Sequence, residues 1–345
     1  MNTLIISRSD ISEIIARVGL NELMDQTIDA ITDACCNPDA ETDVRERDGF
    51  HYNKPQNGLL EWMPVLRKGQ QATIKIIGYH PENPAIFALP TIIGSIGLYD
   101  VKTGAMLALA DGTLPTALRT AAASAAASQV LAMPDSKVLG IIGCGAQAVT
   151  QCHAILRCFP IREILIHDID SKALTSFHSR VNEFCPTAIK IQTVAADQLV
   201  ASANILCTCT SIAIGAEPLF SDPAAVLEGL HINAVGSDFA GKFELPLALL
   251  QRAAVFPDHR AQCLKEGECQ QLDPAAVGSQ LSELIRDRDE YTHMQKKITV
   301  FDSTGWAVED QIIMDLLLQH AEHLDIGTQI PLHSFASDPL NPYQR

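Results

Sequence analysis

Residues 137–148 read KVLGIIGCGAQA. Valine, leucine and isoleucine make a short apolar strand, and the glycines after them turn the chain into a helix. With Gly143, Gly145 and small Ala148 the pattern is G-x-G-x-x-A. Gly143 permits the tight turn, and Gly145 lets the backbone approach a diphosphate. Ala148 lets the helix pack close on the strand, while the first helical N–H groups face the phosphates. A second strand, REILIHD (162–168), ends on Asp168, 25 residues beyond Gly143. That is near the spacing at which a carboxylate meets an adenosine ribose. Asp168 repels a 2′-phosphate, and Ile169, Asp170 and Ser171 supply no arginine to hold one, so NAD is expected over NADP.

From Lys137 onward the pattern alternates strand and helix. Strands are expected at 137–143, 162–168, 188–194, 204–210, 230–236, 254–257 and 298–304, with helices such as 171–184 and 245–253 between them. This predicts an α/β fold with a doubly wound parallel sheet, whose ligands gather at the C-terminal strand ends. Three of those ends are polar: Thr208 and Thr210; Gly236, Ser237 and Asp238; Asp302, Ser303 and Thr304.

The first third is richer in strands. A strand at 3–6 precedes a helix capped by Ser9 or Asp10. A strand at 58–66 carries one acid, Glu61, and a strand at 72–79 carries one lysine, Lys75. A lysine in an apolar strand needs a partner or water for its head group. Residues 91–109 alternate like a hairpin turning near 102–104. The Ala-rich helix 113–132 has one charge, Arg119, which calls for a carboxylate or phosphate. The polar stretch 37–57 holds Arg45 and Arg47. An amphipathic helix at 307–324 and a tail returning after Gly327 make the first domain discontinuous. The expected division is 1–125 plus 325–345, with the nucleotide-binding domain at 126–324 inserted.

With 345 residues, 47% of them hydrophobic, and a net charge of −16, the chain is unsuited to nucleic acid or an anionic membrane surface. An anionic substrate needs a local basic cluster against that field. The ten cysteines show no metal-binding spacing, so no metal is expected and reduced thiols in a cytoplasmic protein are. No apolar run has the length of a signal peptide core or membrane span.

The chain resembles the ornithine cyclodeaminase/mu-crystallin family over nearly its full length. The resemblance rests on EWMP (61–64), Lys75 with GYHP (78–81), TALRTAA (116–122), IIGCGAQA (141–148), NAVGSDFAGKFEL (233–245) and VFDSTGWAVEDQ (300–311). It implies a homodimer in which a Rossmann NAD domain is inserted in a strand-rich α+β substrate and dimerisation domain. By the same resemblance, Arg45 or Arg47, with Lys75 and Arg119, holds the carboxylate of a small amino acid. Asp238 is the catalytic aspartate, with Lys75 and Glu61 beside it in the reaction; Glu61 meets the substrate amine and Thr304 lies in the substrate set. The implied cofactor contacts are Thr91, Arg119, Thr120, Gly143, Gly145, Ala146, Gln147, Asp168, Thr208, Thr210, Val235, Gly236, Lys242 and Ser303.

The activity so implied is redox-neutral: conversion of L-ornithine to L-proline and ammonia by internal hydride transfer. Hydride transfer needs near-contact geometry, which a clamped carboxylate provides, and a carboxylate group must handle the amine protons. The competing expectations are an NAD(P)-dependent amino acid dehydrogenase or ketimine reductase of the same family, and a non-enzymatic mu-crystallin-like binding protein.

Overall fold

Strands follow one another along the chain as β1 (Thr3–Ile6), β2 (Thr42–Val44), β3 (Asp48–Tyr52), β4 (Gly58–Arg67), β5 (Gln71–Tyr79), β6 (Ile92–Asp100) and β7 (Met106–Asp111). There follow β8 (Val138–Ile142), β9 (Glu163–His167), β10 (Lys190–Thr193), β11 (Ile205–Thr208), β12 (His231–Ala234), β13 (Ala254–Pro257), β14 (Thr299–Asp302) and β15 (Thr328–Ile330). The structure is a computed structural model that describes residues 2–39, 41–221, 226–333, 337–341 and 343. The chain divides into two units. The first comprises Met1–Gly19, Asp39–Thr116 and Asp310–Arg345, and the second Leu20–Pro38 and Ala117–Glu309.

In the second unit the strands run in the order β10-β9-β8-β11-β12-β14-β13. All neighbours are parallel. Valine, leucine and isoleucine fill these strands because helices cover both faces. Leu206, Ile232, Leu249 and Val300 share one core. The winding reverses between β8 and β11, which opens the crevice where such sheets bind ligands. The expected strands all form within a few residues. The last two do not follow chain order in the sheet, β14 lying inside and β13 at the edge. Strand spacing along a sequence carries no such order.

The first unit is built on a sheet in the order β15-β1-β7-β6-β5-β4-β2, with β3 also paired to β4. The antiparallel run from β4 to β7 buries Met63, Val65, Ile77, Ile96, Leu98, Ala108 and Ala110. Several of these pack with Ile11 and Ile14 of the helix Arg8–Val18 and with Ile313, Met314 and Leu317 of the helix Ala307–Leu324. Glu61 and Lys75 lie among these alternating buried residues. On the opposite alternation Leu60, Ile76, Ile93 and Leu107 are exposed. The tail does return, since β15 pairs antiparallel with β1.

Two local features differ from expectation. Ser7, in a capping box with Asp10, caps the first helix. Gly19, at φ 98°, ends that helix, and the next one, Leu20–Cys36, belongs to the second unit. There Asn21 meets His153 at 2.8 Å, and Asp25 takes both Arg157 Nε and Nη2 at 2.8 and 2.7 Å. The unit boundaries fall inside the helices Thr113–Leu131 and Ala307–Leu324, rather than at 125/126 and 324/325. A continuous helical pattern gives no sign of a boundary within it.

Candidate functional site

The glycine turn links β8 to the helix Ala146–Cys158. Gly143 sits at φ 88°, and a Cβ there would lie 2.8 Å from the Cys209 carbonyl oxygen, so the position requires glycine. Gly145 is the N-cap, without a side-chain cap. Gly145 and Ala146 are exposed, and nothing stands within 4 Å of a Cβ built on Gly145. The free N–H groups of the first helical turn thus face open space. Gln147, in that turn, is half-buried. At the end of β9, Asp168 Oδ2 accepts from Cys144 N at 2.5 Å and Oδ1 from Asp170 N at 2.8 Å. This cradle fits a dinucleotide: backbone donors for a diphosphate and a fixed carboxylate for the ribose hydroxyls.

Asp238 stands half-buried beyond β12, and Lys242 Nζ donates to its Oδ1 at 2.8 Å. Ser237 Oγ donates to the Lys242 carbonyl oxygen at 2.6 Å, which closes this segment on itself. Beneath it lies Glu244, fully buried. Its Oε2 accepts from Thr208 Oγ1 at 2.6 Å and Gly236 N at 2.9 Å. Its Oε1 accepts from Thr210 N and Thr210 Oγ1, both at 2.8 Å. Burial pushes the Glu244 carboxyl up, and these hydrogen bonds pull it back.

The expectation for Thr208 therefore needs correction. It is fully buried, with its hydroxyl committed to Glu244, and it presents no group to a cofactor. Thr210 spends its hydroxyl on the same carboxylate. Val235 is buried and donates its N–H to the Thr208 carbonyl.

A second buried acid, Glu268, accepts from Glu244 N at 2.7 Å. Glu268 N and Cys269 N donate in turn to Asp302 Oδ1 and Oδ2 at 2.9 and 2.8 Å. Burial pushes the Glu268 carboxyl well up and Asp302 up to about 7. Asp258 accepts from Ser303 Oγ, Thr304 Oγ1 and Gly305 N at 3.2, 3.4 and 2.6 Å. Ser303 and Thr304 are themselves buried. Glu244, Glu268 and Asp258 were not among the expected site residues. Glu244 did carry a signal, an acid between Phe243 and Leu245, the same sign that marks Glu61. Also in this unit, Arg119 Nη1 donates to Glu309 Oε2 at 2.6 Å, both side chains being buried. Thr120 is buried, its carbonyl accepting from Ser124 Oγ.

In the first unit, Lys75 Nζ donates to Asp310 Oδ1 at 2.7 Å within the interior. Arg47 Nη1 lies 3.5 Å from Glu61 Oε2, the two side chains 9% and 5% exposed. The Arg45 side chain is 74% exposed and pairs with Asp43 at 2.9 Å. Of the two arginines, Arg47 thus joins the buried cluster and Arg45 does not. Regular extended backbone would place Arg45 and Arg47, two residues apart, on one face. Residues 45–47 instead form the irregular link between β2 and β3, so counting residues cannot say which arginine turns inward. Thr91 is half-buried, and its carbonyl accepts from His80 N at 2.8 Å.

The family model for the ornithine cyclodeaminase/mu-crystallin family matches residues 9–323. An L-lysine cyclodeaminase of Streptomyces rapamycinicus is 38% identical over 346 residues, covering 99% of each chain. A solved lysine cyclodeaminase, described for its recognition of L-lysine, L-ornithine and L-2,4-diaminobutyric acid, superposes with a TM-score of 0.94 at 43% identity, covering 99% of each chain. An archaeal alanine dehydrogenase dimer with bound NAD gives a TM-score of 0.84 at 29% identity, covering 96% of this chain and 100% of that one. No helix among the described residues is long and apolar enough to cross a membrane. Glycine turn, buried basic residues and Asp238 all fall within the matched span, and the chain belongs to the ornithine cyclodeaminase/mu-crystallin family.

Proposed function

We propose that this protein is an NAD-dependent cyclodeaminase of an α,ω-diamino acid, with L-lysine as preferred substrate and L-ornithine as a second. The products are the cyclic imino acid, pipecolate or proline, and ammonia. Glu61 carries this reading. It is a buried acid on the face that also buries Lys75, with Arg47 beside it, and a second substrate amine gives such an acid a partner. The end-to-end likeness to a lysine cyclodeaminase supports lysine ahead of the ornithine expected from sequence.

Lys75 and Arg47 are cations for the α-carboxylate, Lys75 acting as a point charge and Arg47 as a planar fork. Each already faces an acid, Asp310 and Glu61 respectively. A zwitterionic substrate brings both signs and can exchange partners without stranding a buried charge. Glu61 holds the distal ammonium and takes its proton so that the free amine can attack Cα. The glycine turn and Asp168 would hold NAD, which would supply a reversible acceptor for the Cα hydride. Asp238 receives the α-amine proton and steadies the cationic imine carbon, with Lys242 fixing the carboxylate in place. Ammonia leaves after ring closure.

Two copies of the chain form the active particle in this reading, stacked through the exposed apolar sheet face of Leu60, Ile76, Ile93 and Leu107. The family resemblance and the dimeric alanine dehydrogenase support that assembly.

Catalytic NAD⁺ with L-lysine or L-ornithine tests the activity. Equal amounts of cyclic product and ammonia without net NADH are expected. Net NADH from L-alanine or another amino acid would favour a dehydrogenase instead, as the likeness to alanine dehydrogenase suggests. Inactivity across an amino acid panel would favour a binding protein.

A further inference from the structure

Arg180, in the helix Ser171–Val181, reaches back to the glycine turn. Its Nη2 donates to the Cys144 carbonyl oxygen at 2.7 Å and its Nη1 to that of Gly145 at 3.2 Å. A third bond runs from Nη2 to the Ala173 carbonyl at 2.8 Å, and the guanidinium sits 5.5 Å over the Phe177 ring. A trans peptide unit is planar, with its C=O and N–H pointing opposite ways. The Cys144 carbonyl shares its unit with Gly145 N–H, and the Gly145 carbonyl with Ala146 N–H. Arg180 therefore grips the back of the two peptide units whose N–H groups open the helix, where Gly145 and Ala146 are exposed.

We propose that Arg180 is a positioning residue for the cofactor diphosphate. It fixes the two peptide planes so that both N–H groups point at the phosphates, and its charge polarises those planes and strengthens the donors. It also brings positive charge to the back of an anion site in a chain whose net charge is −16. The inference rests on the NAD reading above. It is specific to the diphosphate, because the ribose is met by a different group, Asp168.

Binding of NADH, ADP and adenosine to the full-length wild-type protein and to Arg180→Met, Arg180→Gln and Arg180→Lys tests this, with circular dichroism as a check of fold. Arg180→Met should weaken NADH and ADP by tenfold or more and leave adenosine within about twofold. Arg180→Lys should recover part of the loss. Unchanged NADH and ADP affinity in a folded Arg180→Met overturns the proposal. So does an equal loss for adenosine, which would make Arg180 a merely structural contact. If Arg180→Met does not fold, Arg180→Gln, which keeps a donor without the charge, carries the same comparison with the same deciding outcomes. Failure of the wild-type protein to bind NADH would instead refute the cofactor reading on which the inference stands.

Discussion

In the proposed reaction, Asp238 and Arg47 are the side chains on which the chemistry depends most. Asp238→Asn keeps the size of the side chain and removes its ability to take a proton. Turnover should fall by about 10² to 10⁴, the usual worth of a positioned acid or base. NADH affinity should stay within about threefold, since the glycine turn and Asp168 are untouched; binding titration beside steady-state rates measures both. Arg47→Ala should lower kcat/KM for the diamino acid by about 100-fold, because it removes a buried charge that faces Glu61. Arg45→Ala, at an exposed side chain paired with Asp43, should stay within about twofold, as surface pairs contribute little. The reverse ranking would return the role to Arg45. Glu61, Lys75 and Arg119 were legible in the sequence because each is a charge in an apolar or small-residue setting. Asp310 and Glu309, the partners of Lys75 and Arg119, were not, since adjacent acids at the start of a helix look like an ordinary solvated terminus.

The strand ends of the parallel sheet are fastened by carboxyl groups, Glu244 from the segment after β12 and Asp302 from the end of β14 itself. Glu244 joins β11 to the segment after β12, and Asp302 holds the turn at Glu268 and Cys269. Alternating strands and helices made this sheet readable to within a few residues at each strand. The carboxyl groups beneath its rim were not readable, because Asp302, Ser303 and Thr304 look alike whether they face a ligand or the interior. One consequence concerns pH. Asp302 has its pKa raised from 3.8 to about 7 by burial, so the folded state binds this proton more tightly than the unfolded chain. That contribution to stability is complete below pH 3.8 and is lost as pH rises through 7. Between pH 5 and 7 the loss amounts to about 2 kcal/mol. His231 and His153 oppose it: burial lowers them to about 3 and about 4, so their contribution is present above pH 6.5 and is lost as pH falls. Urea unfolding at pH 5 and 7 separates the two effects. Asp302→Asn should remove the Asp302 part, making stability rise more steeply with pH than in the wild type. An unchanged pH slope in that variant would mean that Asp302 is not a raised acid.

The whole chain interleaves two units, each returning after an insertion. The nucleotide unit was legible because its glycine turn and strand spacing are local signals. The first unit was legible only in part. Its β2 and β3 lie in a polar stretch with no clear apolar alternation, and they form by pairing to β4. The exposed apolar residues of its sheet have a testable consequence for assembly. The wild type should sediment at twice the chain mass, and Leu60→Glu with Ile76→Glu should sediment as a single chain with its secondary structure intact. A dimer that survives both changes would place the interface elsewhere.

Internal return of the hydride separates cyclodeamination from every net redox reaction. L-Lysine carrying deuterium at Cα, turned over with substoichiometric NAD⁺, should give pipecolate that keeps the deuterium at C2, one ammonia per product and no lasting NADH. Pipecolate that has lost the label, or NADH accumulating in step with substrate loss, would contradict it.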